Sequence, residues 1–313
     1  MISVVIPVYN EEESLPLLVK RLRPVMDGLT RPYEVILVDD GSRDRSLDLL
    51  KEIADRWPNV RAVELTKNYG QHAAIFAGFS ITTGDIVVTM DADLQNPPEE
   101  IPNLIRVMED GNYELVGTIR KHRQDSLFRT LPSRVINKVA SRITKVDMKD
   151  WGCMLRVYSR SVIERMSACH EQSTFIPALA TYFAKKVTEV EVSHEERHSG
   201  VSKYSLRKLI NLQFDLVSSF SDFPLKFIMY SGIVMAFLGI SFGLVLGVAR
   251  IAYGAQWAAE GVFTLFAILF AFVGFQFLAM GVMGEYLGRI YLEVRKRPEF
   301  VIERVYSSEQ RVP

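Results

Sequence analysis

Acidic side chains follow three short apolar runs of the chain, where each run gives way to a polar turn. Asp91 and Asp93 follow one run, Asp39 and Asp40 follow another, and Glu11 follows the first. Two carboxylates at positions i and i+2 of an extended segment point to the same face. Mg²⁺ typically binds one or two carboxylates together with substrate phosphates. The Asp91–Asp93 pair therefore predicts a metal site that neutralises a departing diphosphate.

The competing interpretation of Asp91 and Asp93 is a solvated turn or a helix N-cap, where aspartate is common. For an isolated Asp-x-Asp that interpretation is the stronger one. Here the other acidic segments favour a metal site, because a parallel sheet brings its strand ends together at one edge. Oxygen ligands suit Mg²⁺ and Mn²⁺ alike, so the pattern leaves the identity of the ion open.

Apolar, β-branched runs alternate with amphipathic segments over the first 120 residues. The runs predict strands at Ile2–Pro7, Tyr33–Val38, Val60–Leu65, Asp85–Met90 and Glu114–Thr118. The segments between them predict helices at about Glu12–Met26, Ser46–Arg56, Gln71–Ser80 and Pro98–Glu109. This alternation predicts an α/β fold with a mainly parallel sheet, whose ligands bind beyond the carboxyl ends of the strands. No Walker loop and no GxGxxG motif occur, which argues against ATPases and Rossmann dinucleotide-binding proteins.

The composition excludes several classes of protein. The chain is 48% hydrophobic, which excludes disorder for most of its length. Its 313 residues correspond to roughly two domains. Lys+Arg and Asp+Glu both number 37, and zero net charge argues against a nucleic-acid partner. Two cysteines form no disulfide framework and suit a reducing compartment.

Two long uncharged stretches, 227–249 and 261–284, predict transmembrane helices. Each is long enough to cross a hydrocarbon core of about 30 Å at about 1.5 Å per residue. The alternative is a pair of buried core helices, but soluble helices of this length usually have a polar face. The prediction divides the chain into a catalytic domain at 1–201, interfacial helices at 202–226, the two-helix hairpin at 227–284 and a tail at 285–313.

Basic residues flank the predicted hairpin on the side of both chain termini, whereas the connector offers only Arg250. The positive-inside rule therefore predicts a cytoplasmic catalytic domain, cytoplasmic termini and an outer connector. The segment 202–226 alternates apolar and basic residues at roughly helical spacing. It predicts helices on the membrane surface, and an ordinary amphipathic helix of the soluble domain is the alternative.

The motifs resemble a known family. The strings VVIPVYNEEESLP, VDDGSRDRS and MDADLQNPPEEIP resemble family 2 glycosyltransferases with a GT-A, Rossmann-like fold. The hairpin and its ending, MGEYLGRIYLEVRKRP, narrow the resemblance to the polyprenyl-phosphate branch. The resemblance implies transfer of a sugar from UDP to undecaprenyl phosphate, with inversion, at the cytoplasmic face of the bacterial inner membrane. It also implies a lipid bilayer as a partner and a homotetramer.

Further strings resemble the members of this branch that use 4-deoxy-4-formamido-L-arabinose as the sugar. They are NYGQHAAIFAGF, GTIRKHRQDSLFR, DWGCMLR, CHEQSTFIPALA and GAQWAAEGVF. The resemblance implies a role in lipid A modification and polymyxin resistance. The alternatives are transfer of another sugar such as glucose, a non-catalytic scaffold that binds nucleotide-sugar or lipid, and a small channel or flippase.

The resemblance also assigns roles to residues. Those implied to bind the nucleotide are Pro7, Tyr9, Glu11, Asp39, Asp40, Asp91 and Asp93, the last two also as metal ligands. An acceptor phosphate dianion needs cations, and arginine forks suit phosphate oxygens. The predicted phosphate-binding residues are Arg120, Arg123, Arg129, Arg134, Arg197, Ser202 and Lys203. We expect Asp91, Asp93, Arg120 and Arg129 to be catalytic, although the arginines also fit a solvated basic face near anionic lipid.

No general base is predicted. A phosphate monoester has a second pKa near 6, so the acceptor is mostly a ready nucleophile at pH 7. Many relatives carry a Gly-Asp-Phe-like motif where this chain has Gly152, Cys153 and Met154. Asp150 does not align with that motif, and it is only a weak candidate for a base.

Overall fold

The computed structural model of the chain divides into two units, which are described separately. One comprises Met1–Gln213 and Pro298–Pro313, and the other comprises Phe214–Arg297. Within them the structure describes residues 1–120, 150–169, 175–193, 195, 223–253, 262–295 and 297–308.

Eight strands form one mixed sheet in the described part of the first unit. They are β1 (Ile2–Val8), β2 (Tyr33–Asp39), β3 (Val60–Leu65), β4 (Ile86–Thr89), β5 (Leu115–Arg120), β6 (Arg156–Ser159), β7 (Val187–Val192) and β8 (Ile302–Tyr306). The order across the sheet is β7-β5-β6-β4-β1-β2-β3-β8. Strands β4, β1, β2 and β3 run parallel to one another, so the ends of β4, β1 and β2 are neighbours at one edge.

Helices cover both faces of this sheet. They are α1 (Leu15–Asp27), α2 (Ser46–Arg56), α3 (Gln71–Ile81), α4 (Ile101–Gly111), α5 (Arg160–Ser167) and α6 (Ile176–Phe183). Leu18 of α1, Leu50 of α2 and Leu104 of α4 are buried in the core on one face. Phe79 of α3 and Ile163 of α5 are buried in the core on the other. The predicted α/β sandwich is confirmed.

Most predicted elements differ from the observed ones only at their ends, and helix α1 shows why. It begins at Leu15 rather than at Glu12, because the backbone around Glu12 pairs with another loop. The Glu12 N–H donates to Asp44 over 3.3 Å, and the Glu12 carboxylate accepts the Arg45 N–H over 3.0 Å. Pro16 then occupies the first turn, where its missing N–H costs nothing.

Strands β6, β7 and β8 are not predicted from the sequence. Strand β6 lies between β4 and β5 and is antiparallel to both, so the sheet is mixed there. Strand β8 comes from the segment predicted as a C-terminal tail and pairs antiparallel with β3. Its residue Tyr306 donates a hydrogen bond of 2.5 Å to the Glu64 carboxylate.

The second unit contains two long helices, α7 (Phe223–Tyr253) and α8 (Val262–Val294). Among the described residues one stretch, Leu225–Tyr253, is long and apolar enough to cross a membrane. Large apolar side chains such as Phe237 and Leu244 are exposed along it, at 71% and 66%. Water would be a poor solvent for such a surface, which suits a membrane better. The second predicted span coincides with the first two thirds of α8.

Candidate active site

The loops after β1 and β2 are held together by hydrogen bonds. The Asn10 N–H donates to the Ser42 hydroxyl over 3.0 Å, and the Glu11 N–H donates to the Ser46 hydroxyl over 2.8 Å. The Asn10 side-chain oxygen accepts the Arg43 N–H over 2.8 Å. Asn10 has a φ of 55°, a left-handed conformation that asparagine tolerates better than most residues. The predicted nucleotide-binding residues of both loops are thereby brought to one place.

Pro7, Tyr9 and Glu11 are partly buried at the end of β1. Val8 of β1 stands opposite Asp39 of β2 in the parallel register. The Asp40 N–H donates to the Val8 carbonyl over 2.8 Å and extends this pairing by one residue. The structure therefore places the nucleotide-binding residues predicted on β1 beside those predicted on β2.

Asp40 organises the loop after β3. Its two carboxylate oxygens accept the N–H groups of Tyr69, over 2.7 Å, and Gly70, over 2.9 Å. The Asn68 amide donates to the Asp40 carbonyl over 3.0 Å. Burial raises the pKa of Asp40 above its ordinary value, and the neighbouring Asp39 charge adds to this, while the two backbone hydrogen bonds oppose it.

Asp39 has one carboxylate oxygen without a hydrogen-bond partner among the described residues. This oxygen, Oδ1, is buried, whereas Oδ2 accepts the Ser42 N–H over 3.1 Å. Burial raises the pKa of Asp39, and the nearby Glu64 charge acts in the same direction. A buried acceptor of this kind costs free energy unless a donor reaches it, so it suits a ligand that offers an N–H or O–H group.

Asp91 and Asp93 lie just beyond β4, at the same edge of the sheet. The Gln71 amide, at the start of α3, donates to the Asp91 carboxylate over 2.6 Å. The Asp93 carboxylate accepts the Gln95 N–H over 3.2 Å. Leu94, between Asp93 and Gln95, has a φ of 61°, which turns the chain sharply after the Asp91–Asp93 pair. Both carboxylates are partly exposed.

The donor set at β4 fits a hard divalent cation. Asp91 and Asp93 supply oxygen ligands only, which Mg²⁺ and Mn²⁺ prefer. Within the described residues no group of three or more His, Cys, Asp or Glu side chains is arranged to hold a metal. The protein would therefore supply a pair of carboxylates, and the remaining ligands would come from phosphate oxygens and water.

Arg120 ends β5 in a bidentate ion pair with Asp150. Its Nε and Nη2 atoms donate to the two Asp150 oxygens over 2.7 and 3.0 Å. The Gly152 N–H donates to the same carboxylate over 3.0 Å. The fully buried Arg156 donates to the carbonyls of Asp150 and Cys153 and fixes this turn. Asp150 is thus held as the partner of an arginine, an arrangement that does not favour it as a base.

A buried polar chain links this turn to the segment after Asp93. The Thr118 hydroxyl lies 2.9 Å from Cys153 Sγ, and Sγ lies 3.4 Å from the Asn96 side-chain oxygen. All three residues are buried. Burial raises the pKa of the Cys153 thiol, so it is a protonated donor rather than a reactive thiolate.

The remaining predicted phosphate-binding residues lie outside the described part of the chain. They are Arg123, Arg129, Arg134, Arg197, Ser202 and Lys203. Most of the predicted interfacial segment 202–226 also lies outside the described residues, which resume at Phe223.

Sequence reasoning missed Gln71, which contacts Asp91, and the role of Asp150. The only sequence signal for Gln71 is its place after Gly70, at the start of a predicted helix. His72, beside it, is partly buried, and the burial of its ring lowers its pKa to about 4, so it is neutral at pH 7. Its ring packs edge-on against Phe175, with centroids 5.9 Å apart.

Comparison with known proteins identifies a glycosyltransferase family and several sugar transferases as relatives. The profile of glycosyl transferase family 2 matches residues 3–168. The undecaprenyl-phosphate 4-deoxy-4-formamido-L-arabinose transferase of Yersinia enterocolitica is 54% identical, covering 99% of this chain and 94% of its own. The proteins of the same name from Klebsiella pneumoniae strain 342 and Serratia proteamaculans are 54% and 53% identical, and each covers at least 97% of this chain and 93% of its own.

Among solved structures, glucosyl-3-phosphoglycerate synthase from Mycobacterium tuberculosis, in complex with Mn²⁺, UDP and glucosyl-3-phosphoglycerate, has a similar fold. The TM-score is 0.51 at 19% identity, over 70% of this chain and 80% of that one. The predicted GT-A fold is confirmed.

Proposed function

The chain belongs to glycosyltransferase family 2, together with the undecaprenyl-phosphate 4-deoxy-4-formamido-L-arabinose transferases, and we propose that it catalyses the transfer named in those relatives. The donor is UDP-4-deoxy-4-formamido-L-arabinose and the acceptor is undecaprenyl phosphate. The product supplies the sugar for lipid A modification, which lowers surface negative charge and gives resistance to polymyxin.

The observation that carries this proposal is the meeting of three acidic strand ends. The ends of strands β4, β1 and β2 are neighbours at one edge of the sheet. Asp91 and Asp93 follow β4, Glu11 follows β1, Asp39 ends β2 and Asp40 follows it. A nucleoside diphosphate has a polar base and ribose at one end and a charged diphosphate at the other. The buried Asp39 oxygen that has no partner among the described residues matches the first, and the Asp91–Asp93 pair, through a cation, matches the second.

The uridine would bind where β1 and β2 end. The unpartnered Asp39 oxygen would accept a hydrogen bond from the base or ribose. Asp40 would act through the Tyr69–Gly70 backbone that it holds. Pro7, Tyr9 and Glu11, partly buried beside them, would complete the pocket by analogy with the family.

Asp91 and Asp93 would hold a divalent cation, Mg²⁺ or Mn²⁺. When bound, such a cation neutralises the charge that develops on the departing diphosphate. The Gln71 amide fixes the orientation of the Asp91 carboxylate, and the Gln95 N–H fixes that of Asp93. Preorganised ligands of this kind need no rearrangement during the reaction.

The transfer is a single displacement. An oxygen of the acceptor phosphate forms a bond to the anomeric carbon while the bond from that carbon to the UDP oxygen breaks, and the configuration inverts. The acceptor is mostly a dianion at pH 7, since its second pKa is near 6, so no base is required. The protein contributes chiefly by positioning and by charge stabilisation.

The acceptor phosphate is negatively charged, so cationic side chains must bind it. Arg120 is one of the predicted cations, and it forms a bidentate pair with Asp150. The other predicted phosphate-binding residues retain that role in the proposal: Arg123, Arg129, Arg134, Arg197, Ser202 and Lys203. Each presents the guanidinium, ammonium or hydroxyl donors that phosphate oxygens accept.

A lipid acceptor requires a catalytic domain close to the bilayer. The apolar helix α7 supports membrane attachment, and we propose that α7 and α8 form a hairpin with both termini cytoplasmic. Gly239 of α7 lies beside Phe272 of α8, where a Cβ atom would be 3.3 Å from the ring. The location is the bacterial inner membrane, and assembly as a homotetramer remains a prediction.

Donor choice tests the proposal. Purified full-length protein is incubated with undecaprenyl phosphate, Mn²⁺ or Mg²⁺, and either UDP-4-deoxy-4-formamido-L-arabinose or UDP-glucose, and the lipid is analysed by mass. We expect product from the arabinose donor alone. Product from UDP-glucose alone would contradict the proposed donor and favour a glucosyltransferase. UDP binding without product from either donor would favour the scaffold alternative.

A further inference from the structure

Arg21 binds two carboxylates at once, those of Glu99 and Glu195. It stands on α1, and its Nε and Nη2 atoms donate to the Glu99 oxygens over 3.0 and 2.9 Å. Its Nη1 and Nη2 atoms donate to the Glu195 oxygens over 2.7 and 2.9 Å. The Arg21 side chain is 22% exposed, less than either carboxylate.

The two carboxylates belong to segments far apart in the sequence. Glu99 lies in the short 3₁₀ turn Pro98–Glu100 that follows the Asp93 segment. Glu195 lies three residues after β7. The hydrogen bonds from Arg21 lower the pKa of Glu99 below its ordinary value, so the Arg21–Glu99 pair is ionised at pH 7. Without the guanidinium, two negative charges would face each other here.

Backbone contacts connect this cluster to Asp93. The Glu195 N–H donates to the Gln95 carbonyl over 3.0 Å. The Gln95 N–H in turn donates to the Asp93 carboxylate over 3.2 Å. The Ser193 hydroxyl donates to the Glu100 carboxylate over 2.8 Å, which adds a second contact between the same two segments. The peptide groups of Gln95 are therefore held between Glu195 and Asp93.

We propose that Arg21 is a positioning residue for the transfer reaction, because its hold on Glu99 and Glu195 fixes the turn that orients Asp93. The inference rests on the proposed function for its consequence in turnover. Arg21 itself touches neither substrate nor reacting atoms in this account. Bidentate arginine–carboxylate pairs combine strength with fixed geometry, which a lysine cannot reproduce with its single ammonium group.

The test compares Arg21→Met with Arg23→Met. The control removes an arginine from the same helix, where Arg23 pairs with Asp27 over 3.6 Å, within α1 itself. The measurements on the full-length protein are the Kd for UDP with Mn²⁺ by calorimetry, kcat, and the midpoint of thermal unfolding. We expect Arg21→Met to raise the Kd at least fivefold and lower kcat at least tenfold. Arg23→Met should stay within twofold of wild type in both.

Two further variants separate positioning from general stability. Arg21→Lys should recover only part of the affinity, because it keeps the charge but loses the fork. Glu195→Gln should raise the Kd at least threefold, and adding Arg21→Met to it should cost less than Arg21→Met costs alone. If Arg21→Met does not fold, the Kd values for UDP of Glu195→Gln and Arg21→Lys decide the question.

The inference is overturned if Arg21→Met binds UDP within twofold of wild type while folded, or if Arg21→Met and Glu195→Gln effects are additive. The result is separable from the proposed function. If wild-type protein binds UDP with Mn²⁺ but transfers no sugar, the proposed function fails, and the Kd comparison still decides whether Arg21 positions the Asp93 turn.

Discussion

Gly41 shapes the loop around Asp40 at the scale of a single residue. Its φ is +66°, and a Cβ atom there would lie 2.5 Å from the Asn68 backbone nitrogen. Only a residue without a side chain lets the Asp40 loop approach the Asn68–Gly70 segment so closely. The contacts that Asp40 makes with Tyr69 and Gly70 depend on that approach.

We therefore predict that Gly41→Ala lowers the affinity for UDP at least tenfold, because the Asn68–Gly70 segment must move away. Titration calorimetry of the purified protein measures this. The control is Gly84→Ala, whose Cβ would lie 2.6 Å from the Ser3 hydroxyl beside β1 and β4, away from the acidic ends. It should destabilise the fold by about 1–3 kcal/mol and leave UDP affinity unchanged. Unchanged affinity in Gly41→Ala would refute the role of this loop.

The sequence predicts the acidic residues of the site better than it predicts their partners. These residues are recognisable because they come in two pairs, each at the end of an apolar run: Asp39 with Asp40, and Asp91 with Asp93. The contact from Gln71 to Asp91 cannot be seen in this way, since it depends on how α3 sits against the end of β4. The pairing of Arg120 with Asp150, 30 residues away, likewise depends on the fold.

At the scale of elements, the sequence predicts those strands that consist of a regular apolar run. Strand β3 and helix α2 have the predicted bounds, since each is a simple apolar or amphipathic run between polar turns. Strands β6 and β8 are short, and each is held by a neighbour rather than by its own pattern. Local sequence contains little information about such pairing, because it is a property of the sheet.

A polar cluster around the buried Glu34 carboxylate joins β1, β2 and β3 near their starts, opposite the acidic ends. Glu34 of β2 accepts the Ser3 hydroxyl over 2.5 Å and the Thr83 N–H over 2.7 Å, and it also pairs with Arg61. Burial alone would raise the pKa of Glu34, but these hydrogen bonds and the Arg61 charge outweigh it and hold the pKa below its ordinary value. The ionised form is therefore stabilised by folding.

We predict that Glu34→Gln lowers the free energy of unfolding by about 1–3 kcal/mol at pH 7. Because the folded pKa lies below the unfolded one, the contribution is complete above the ordinary glutamate pKa and is lost as pH falls through the folded pKa. Denaturation measured from pH 7 to pH 3 should show the two proteins converging. Glu52→Gln, which breaks an exposed pair with Arg56, should show little difference at any pH. A constant gap for Glu34→Gln would contradict this.

At the scale of the whole molecule, the charge distribution predicts an orientation across the membrane. Basic residues precede 227–249 and follow 261–284, whereas the segment between them is nearly free of charge. By the positive-inside rule, this asymmetry predicts that the catalytic unit lies on the cytoplasmic side, where a UDP-sugar donor is available.

Cysteine labelling checks this orientation. We predict that Ala258→Cys, in the connector, reacts with a membrane-impermeant maleimide in intact spheroplasts. Lys20→Cys, on the exposed side of α1, should react only after lysis. The unsubstituted chain measures the background from Cys153, which is buried, and Cys169, which is partly buried. Labelling of Lys20→Cys before lysis would show that the catalytic unit lies outside.

The most direct test of the whole account is transfer by the Asp93→Asn protein. Full-length wild type and variant are placed in vesicles containing undecaprenyl phosphate, with Mn²⁺ and UDP-4-deoxy-4-formamido-L-arabinose, and product is followed by mass. Asp85→Asn is the control, since Asp85 is an exposed carboxylate that immediately precedes β4. We predict product from wild type and Asp85→Asn and none above background from Asp93→Asn. Turnover by Asp93→Asn at the wild-type rate would contradict the assignment of the chemistry to the acidic strand ends.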